Sequence, residues 1–380
     1  MTKRGIARLA VPTVTRLSAV SEISTLLDSS EIAALCDELD ALRWTGRKGY
    51  GARALVGACL VKSLYALPTW TRTARLISEH RGLQDVLGGA PSEWACYRFS
   101  TKLHDNKPLL DATLDRLATA LRGRMPDMGA NVAIDASDMP AYGNGQRFLS
   151  KNGPEREQYA DPDASWGHRS AISTRKGGGF YGYRVHAAVC ARTGLPLAWE
   201  VKTARDHETT AVPGLLDTLA ARGFGVETVA MDKGYDNGAM HDACADHGAV
   251  AIFPLRATPT VKRGDHLAPT CEHGTWTFAG ADFKRGATKW RCPTGECRTK
   301  SLWRKSSRLH PLIPRETKRW RDLYRGRAAV EREFGRLKNE YGLAPLRVRG
   351  LERVALHADL TMLARLSQAL ARARTITLAA

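Results

Sequence analysis

The chain has 380 residues, 43 % of them hydrophobic, enough for a sizeable core with one or two small modules. Its formal charge is +18, and the stretch from Lys284 to Arg353 carries +14 of it, with 21 Lys and Arg against 7 Asp and Glu, which points to a polyanionic partner. No apolar run is long enough to span a bilayer, and eight scattered cysteines do not read as a secreted disulfide framework, so a cytoplasmic protein with reduced thiols is expected.

Residues Met1 to Ser21 read as a polar, irregular lead passing into helix. From Gly51 to Leu121 the pattern is helical throughout, with Leu55, Cys59, Leu60, Ser63 and Leu64 on one face. Asn131-Val-Ala-Ile-Asp135 is a short buried strand ending in a carboxylate. Gly143 to Gly179, rich in Gly, Asp and Arg, reads as a long surface loop. Tyr181 to Val189 and Leu195 to Lys202 form a hairpin around Arg192-Thr-Gly194. Helical patterns follow at 208–222 and 237–247, separated by a second buried strand, Glu227-Thr-Val-Ala-Met-Asp232. Ala249 to Phe253 closes the sheet. Thr275 to Phe278 and Thr288 to Arg291 are short β-like runs within 254–314, and a helix is predicted from Glu316 to Tyr341. Gly342 serves as its C-cap and Pro345 stops continuation; a last apolar helix spans Leu351 to Leu370.

The helix before Gly342 holds the most specific pattern in the chain, Tyr324-x2-Arg327-x3-Glu331-x6-Lys338. At helical rotation these four side chains fall within roughly 60° of one another. Val330, Phe334, Leu337 and Tyr341 form an apolar stripe on the adjacent face. A carboxylate is thereby held at the edge of a buried surface between two cations and a phenol, an arrangement suited to a metal-binding carboxylate working on a phosphate backbone.

On these residues the sequence resembles the DDE transposases of bacterial insertion sequences, in the group with the Y-x2-R-x3-E-x6-K motif. Further matches are Asp232-Lys-Gly-Tyr-Asp236, Ala160-Asp-Pro-Asp-Ala164, Gly182-Tyr-Arg-Val-His186 and the near-motif Thr203-Ala-Arg-Asp-His-Glu208, so the resemblance spans roughly residues 50 to 350. It implies an α/β fold. A ribonuclease H-like catalytic core would occupy 126–253 and 315–372, an all-α amino-terminal domain 1–125, and a small β-rich insertion 254–314. The 97 residues from Asp135 to Asp232 and the 99 from Asp232 to Glu331 leave room for that insertion. The helical domain is either the reader of terminal DNA or a scaffold without DNA contact.

The resemblance implies Asp135, Asp232 and Glu331 as catalytic residues and ligands of Mg²⁺ or Mn²⁺, with two ions expected. Tyr324, Arg327 and Lys338 are implied as DNA-binding residues, or else as a salt-bridge set around Glu331. Asp135 is preferred over Asp138 because it ends the apolar run, whereas Asp138 falls in the turn before Pro140. Arg184 and His186 read as fold or DNA-facing residues. The implied partners are double-stranded DNA, both terminal inverted repeats and target, and a second copy of the chain, with no membrane. The implied location is the bacterial cytoplasm, at the nucleoid. The activity would be cleavage at element ends and strand transfer; the rivals are a nuclease that cuts without joining and an inactive or repressor-like protein that only binds terminal DNA. Separately, Cys271-x-His273 with Cys292-x4-Cys297 has the residue types of a structural Zn²⁺ site, but its spacing is looser than that of common zinc fingers. Unligated thiols on a small sheet are the preferred reading there.

Overall fold

The computed structural model describes residues 18–42, 49–169, 176–257, 264 and 267–375. Most of the expected amino-terminal lead, residues 1–17, lies outside these, as do residues 170–175 of the expected loop and 258–263 and 265–266 of the insertion.

Seven helices come first: α1 (Ala19–Leu27), α2 (Ser30–Ala41), α3 (Ala52–Leu64), α4 (Trp70–Glu79), α5 (Arg81–Leu87), α6 (Glu93–Asp105) and α7 (Lys107–Arg124). Ser18, Thr69 and Ser92 cap α1, α4 and α6 by accepting from amides of the first turn. Helix α3 differs from its one-faced expectation. Every residue from Val56 to Ser63 is buried, while Leu55 and Leu64 are only partly so. The reason is that α1, α2, α4, α5, α6 and the carboxy-terminal helix Leu351–Thr375 surround it.

The sheet is built from β1 (Asn131–Pro140), β2 (Ser165–Arg169), β3 (Gly178–Cys190), β4 (Pro196–Thr203), β5 (Thr228–Ala230) and β6 (Val250–Ile252). Helix α8 (Val212–Ala221) precedes β5, and α9 (Gly238–Asp246) separates β5 from β6. Strand β3 is the hub. It pairs antiparallel with β1 along one edge, and with β2 and then β4 along the other. Strand β1 pairs parallel with β5, and β5 parallel with β6. Two expectations are corrected here. Strand β1 does not end at Asp135 but runs to Pro140, because β3 is long enough to pair with all of it. The stretch read as loop contains β2, an edge strand whose Ser-Trp-Gly-His-Arg composition hides its pairing with Gly178–Gly182.

After β6 come two-residue strands β7 (Thr270–Cys271) and β8 (Gly274–Thr275), then β9 (Thr277–Asp282), β10 (Ala287–Arg291) and β11 (Ser301–Lys305). The last three form their own antiparallel sheet in the order β11-β10-β9. Helices α10 (Lys318–Arg325), α11 (Ala328–Glu340) and α12 (Leu351–Thr375) complete the chain. The helix expected from Glu316 to Tyr341 is therefore two helices. At Gly326 and Arg327 the amides bond to carbonyls three residues back, which tightens the turn. Gly342, at φ +67°, ends α11 as expected.

The two faces of the main sheet bury different elements. Val132 and Ile134 of β1 face a core shared with the amino-terminal helices, α8, α9 and part of α12. Ala133, with Tyr183, Val185 and Val189 of β3, faces Val330, Phe334 and Leu337 of α11. The apolar stripe read from the sequence is thus buried against the sheet. Side-chain alternation along a strand then puts Asp135 on the α11 face with Ala133, and Asp138 on the opposite face.

Several motif residues hold the fold. Asp161 accepts from the Tyr183 hydroxyl at 2.6 Å and the Gly350 amide at 3.1 Å, and Asp163 accepts from the Leu351 amide, so this motif secures the start of α12. Asp236, with its side chain fully buried, takes His241 at 2.9 Å, Arg308 at 2.9 Å and the Arg256 amide at 2.8 Å. Burial pushes its carboxyl up, but these hydrogen bonds outweigh that and hold it below the usual aspartate range. A depressed carboxylate pKa stabilises the fold at neutral pH, and the contribution disappears as pH falls through the native value. Asp236→Ala strands the half-buried Arg308 and Arg315 guanidiniums and should cost about 3 kcal/mol in urea denaturation at neutral pH, with a smaller difference in acid. An unchanged midpoint at neutral pH would remove Asp236 from this role.

Candidate active site

Two nearly identical frames, Val132-Ala-Ile-Asp135 and Val229-Ala-Met-Asp232, run side by side. Val132 pairs with Val229 and Ala133 with Ala230 in the parallel register, and Thr228 Oγ donates to Asn131 Oδ1 at 2.6 Å at the start of it. Asp135 and Asp232 each stand two residues past the last paired positions, Ala133 and Ala230. Asp232 lies just beyond β5, where its Oδ1 accepts from the Gly234 amide at 2.6 Å. Asp135 Oδ1 accepts from the Ala136 amide at 2.8 Å.

Glu331 reaches this pair through Arg327. The Arg327 guanidinium lies 3.3 Å from Asp135 Oδ2 by one nitrogen and 2.6 Å from Glu331 Oε1 by the other. It sits at the junction of α10 and α11, so the tight turn there aims it at the sheet. Its Nε is buried without a hydrogen-bond partner. Glu331 is 57 % exposed, whereas Glu333, two residues on, is fully buried against Arg365 and Arg336 at 2.6 Å each. Only the first of these glutamates is open to an external cation.

Burial pushes the Asp135 carboxyl up to about 7; Asp232 and Glu208 add to the rise, against Arg327 and the Ala136 amide. Tyr324, stacked on Trp320 with ring centroids 5.0 Å apart, is raised by burial, with Asp232, Glu331 and Asp135 adding to it. The same three carboxylates thus act on one phenol. They stop short of a closed ligand set, since among the described residues the groups whose donor atoms all fall within 4.8 Å of one another lie in the insertion. Arg327 stands between Asp135 and Glu331.

Lys338 Nζ donates to the Asp138 carbonyl at 2.7 Å and braces α11 against β1. Asp138 is not in a turn; it lies within β1 opposite Arg184, whose Nε donates to it at 3.3 Å. Arg184 and His186 are both buried.

Two residues were not among the sequence candidates. Glu208, at the end of the near-motif 203–208, has its carboxyl raised by burial, with Asp232 and Asp138 adding to the rise and Arg184 opposing it. Tyr235 is buried with its hydroxyl unpartnered, and burial, then Asp135, Glu208 and Asp232, push it well above the ordinary tyrosine range. Asp232, Glu208 and Tyr235 line a cleft of about 840 Å³ together with His168, His207 and Arg256. The motif Asp232-Lys-Gly-Tyr-Asp236 carried a signal for Tyr235, and the near-motif one for Glu208.

Carboxylate oxygens are the donors Mg²⁺ and Mn²⁺ take. Asp135, Asp232 and Glu331 fit such ions by donor type.

Among solved structures, a cryo-EM structure of the piggyBac transposase synaptic complex with hairpin DNA is similar at 9 % identity and a TM-score of 0.43, covering 93 % of this chain and 74 % of that one. No curated protein matches the sequence. No helix of the described residues is long and apolar enough to cross a membrane. The family model described as "Transposase DDE domain" matches residues 130–366, a span holding the whole carboxylate site. The chain belongs to the transposase DDE domain family, whose business is DNA transposition.

Proposed function

We propose that this protein is a transposase that cleaves DNA at the ends of its element and joins those ends to target DNA, with Asp135, Asp232 and Glu331 as its catalytic metal ligands. The observation that supports the proposal is Arg327, which contacts both Asp135 and Glu331, beside the parallel pairing of the Val132-Ala-Ile-Asp135 and Val229-Ala-Met-Asp232 frames at Val132–Val229 and Ala133–Ala230. Antiparallel β1 to β4, followed by parallel β5 and β6 with intervening helices, supports reading the core as ribonuclease H-like.

Cleavage and joining are both in-line phosphoryl transfers, in which charge grows on the attacking and leaving oxygens. Two Mg²⁺ or Mn²⁺ ions held by Asp135, Asp232 and Glu331 would stabilise both oxygens. The protein's own residues supply positioning. Burial of Asp135 keeps one donor dry, and the half-exposed Glu331 leaves an open side for the backbone of DNA. Arg327 pairs with both Asp135 and Glu331 in the metal-free arrangement, and a phosphate at the site competes for the same guanidinium. Tyr324 and Lys338 border the phosphate path, with Lys338 also bracing the helix. Acting on two element ends calls for a pair of subunits, and a chromosomal substrate for a cytoplasmic location at the nucleoid. Helices α1–α7 are the candidate reader of the terminal repeats.

Incubating the purified protein with its own element ends and Mg²⁺, then sizing the products, tests this reading. Covalently joined strands support it. Cut ends alone indicate a nuclease, and bound but unaltered DNA indicates a binding-only protein. The basic stretch from Lys284 to Arg353 adds a second test. The logarithm of DNA affinity should fall linearly with that of salt, and Lys338→Ala should lower the slope by roughly one phosphate contact. An unchanged slope with lowered stability would assign Lys338 to bracing alone.

A further inference from the structure

Away from the carboxylate site, the insertion gathers the chain's other donor cluster. The sulfur atoms of Cys271, Cys292 and Cys297 all lie within 4.8 Å of one another, and His273 has a ring nitrogen within the same distance of Cys297. Cys271 Sγ is 3.9 Å from Cys292 Sγ. That is too long for a disulfide and close to the edge of about 3.8 Å expected between thiolates of a tetrahedral zinc with bonds of about 2.3 Å.

Local structure explains how loosely spaced residues meet. Cys271 and His273 come from the tight β7–β8 hairpin, and Cys292 follows β10 directly. In the turn Cys292-Pro-Thr-Gly-Glu-Cys297, Gly295 takes φ +76°, a left-handed conformation that a side chain would strain. Within that turn Thr294 Oγ1 lies 3.6 Å from the Cys292 sulfur. His273 has carboxylates on both sides, Nε2 at 3.4 Å from Glu272 and Nδ1 at 3.5 Å from Glu296. Whichever nitrogen binds a metal, the other keeps an acceptor.

We infer that Cys271, His273, Cys292 and Cys297 form a structural zinc site that staples the β7–β8 hairpin to the β9–β11 sheet. Three soft sulfurs and an imidazole are a donor set for zinc and a poor one for Mg²⁺. The apolar core of this module is small, with Trp276, Trp290 and Cys292 buried and Ala268 and Leu302 packed against them. Modules of that size commonly rely on a metal or disulfides. Binding is redox-neutral: Zn²⁺ enters and the thiol protons leave to solvent. The inference is independent of the proposed phosphoryl transfer.

The full-length protein, purified under reducing conditions without chelator, should carry about one zinc per chain by metal mass spectrometry. Replacing that metal with Co²⁺ should give a thiolate-to-cobalt charge-transfer band and the intense ligand-field bands of tetrahedral coordination. Cys292→Ser and Cys297→Ser should reduce bound zinc to roughly a tenth or less, and His273→Cys, which keeps four ligands, should retain it. Asp135→Asn should leave zinc content unchanged, separating this site from the carboxylate one. The cobalt spectrum of the unmutated chain needs no variant to fold. Wild-type protein that holds no zinc and gives no thiolate–cobalt band after reconstitution would overturn the inference, as would a Cys271–Cys292 disulfide in the freshly isolated chain.

Discussion

Glu331→Gln should lower both DNA cleavage and strand joining by several orders of magnitude while leaving the fold and terminal-DNA affinity nearly unchanged. The substitution keeps shape and hydrogen-bonding capacity and removes only the charge. Because Glu331 is 57 % exposed, its ion pair with Arg327 is partly in water and worth at most about 1 kcal/mol to stability. DNA affinity comes from Lys and Arg groups meeting phosphates, which the change does not touch. If Glu331 were only Arg327's partner, activity would largely survive with that modest loss of stability. Single-turnover cleavage and joining, beside a thermal melt and a binding isotherm, separate the two cases. Near-wild-type joining by well-folded Glu331→Gln protein would reject the catalytic reading.

Asp135→Asn should eliminate activity as thoroughly and yet stabilise the metal-free protein above neutral pH. The sign follows from the direction of the shift. The Asp135 carboxyl titrates near 7 in the folded protein, raised by burial, against about 4 for an unfolded aspartate. A raised carboxylate pKa contributes stability that is fully present below the unfolded value and is lost as pH rises through the folded one. Above pH 7 the ionised side chain is therefore a net burden that asparagine removes, by roughly 3–4 kcal/mol at about 1.4 kcal/mol per pH unit between the two values. Metal affinity runs the other way, since the ligand must be deprotonated. Mn²⁺ binding should weaken about tenfold per pH unit below 7 in the wild type. Chemical denaturation and Mn²⁺ titration across pH 5 to 8 read both effects. A less stable Asp135→Asn protein at high pH, or pH-independent Mn²⁺ binding, would contradict the assignment.

Much of this site was legible because it rests on short-range patterns. Val-Ala-Ile-Asp135 and Val-Ala-Met-Asp232 are buried β-branched runs that end in carboxylates, and a buried strand tolerates little else. The stripe Val330, Phe334, Leu337 and Tyr341 has helical period and lies buried as that period requires. What stayed hidden depends on tertiary contact. The break at Gly326 and Arg327 leaves the helical period almost intact, so composition does not announce it, although it is what turns Arg327 toward Asp135. Strand β2 is an edge strand with a polar sequence and shows only against β3. Glu208 sits in a short helical turn before α8, far in sequence from the aspartates whose field it shares. Asp236 reads as part of a motif, but its partners Arg308 and Arg315 come from beyond the insertion sheet. The Cys and His donors were visible as residue types, and only the turn geometry shows them meeting.

The claim that Asp135, Asp232 and Glu331 form one metal site is tested most directly by the anomalous signal of Mn²⁺ in crystals of the protein. Manganese should be ligated by Asp135 and Asp232, with Glu331 released from Arg327 and turned toward it. Manganese bound elsewhere, with Asp135 still paired to Arg327 at saturating metal, would contradict it.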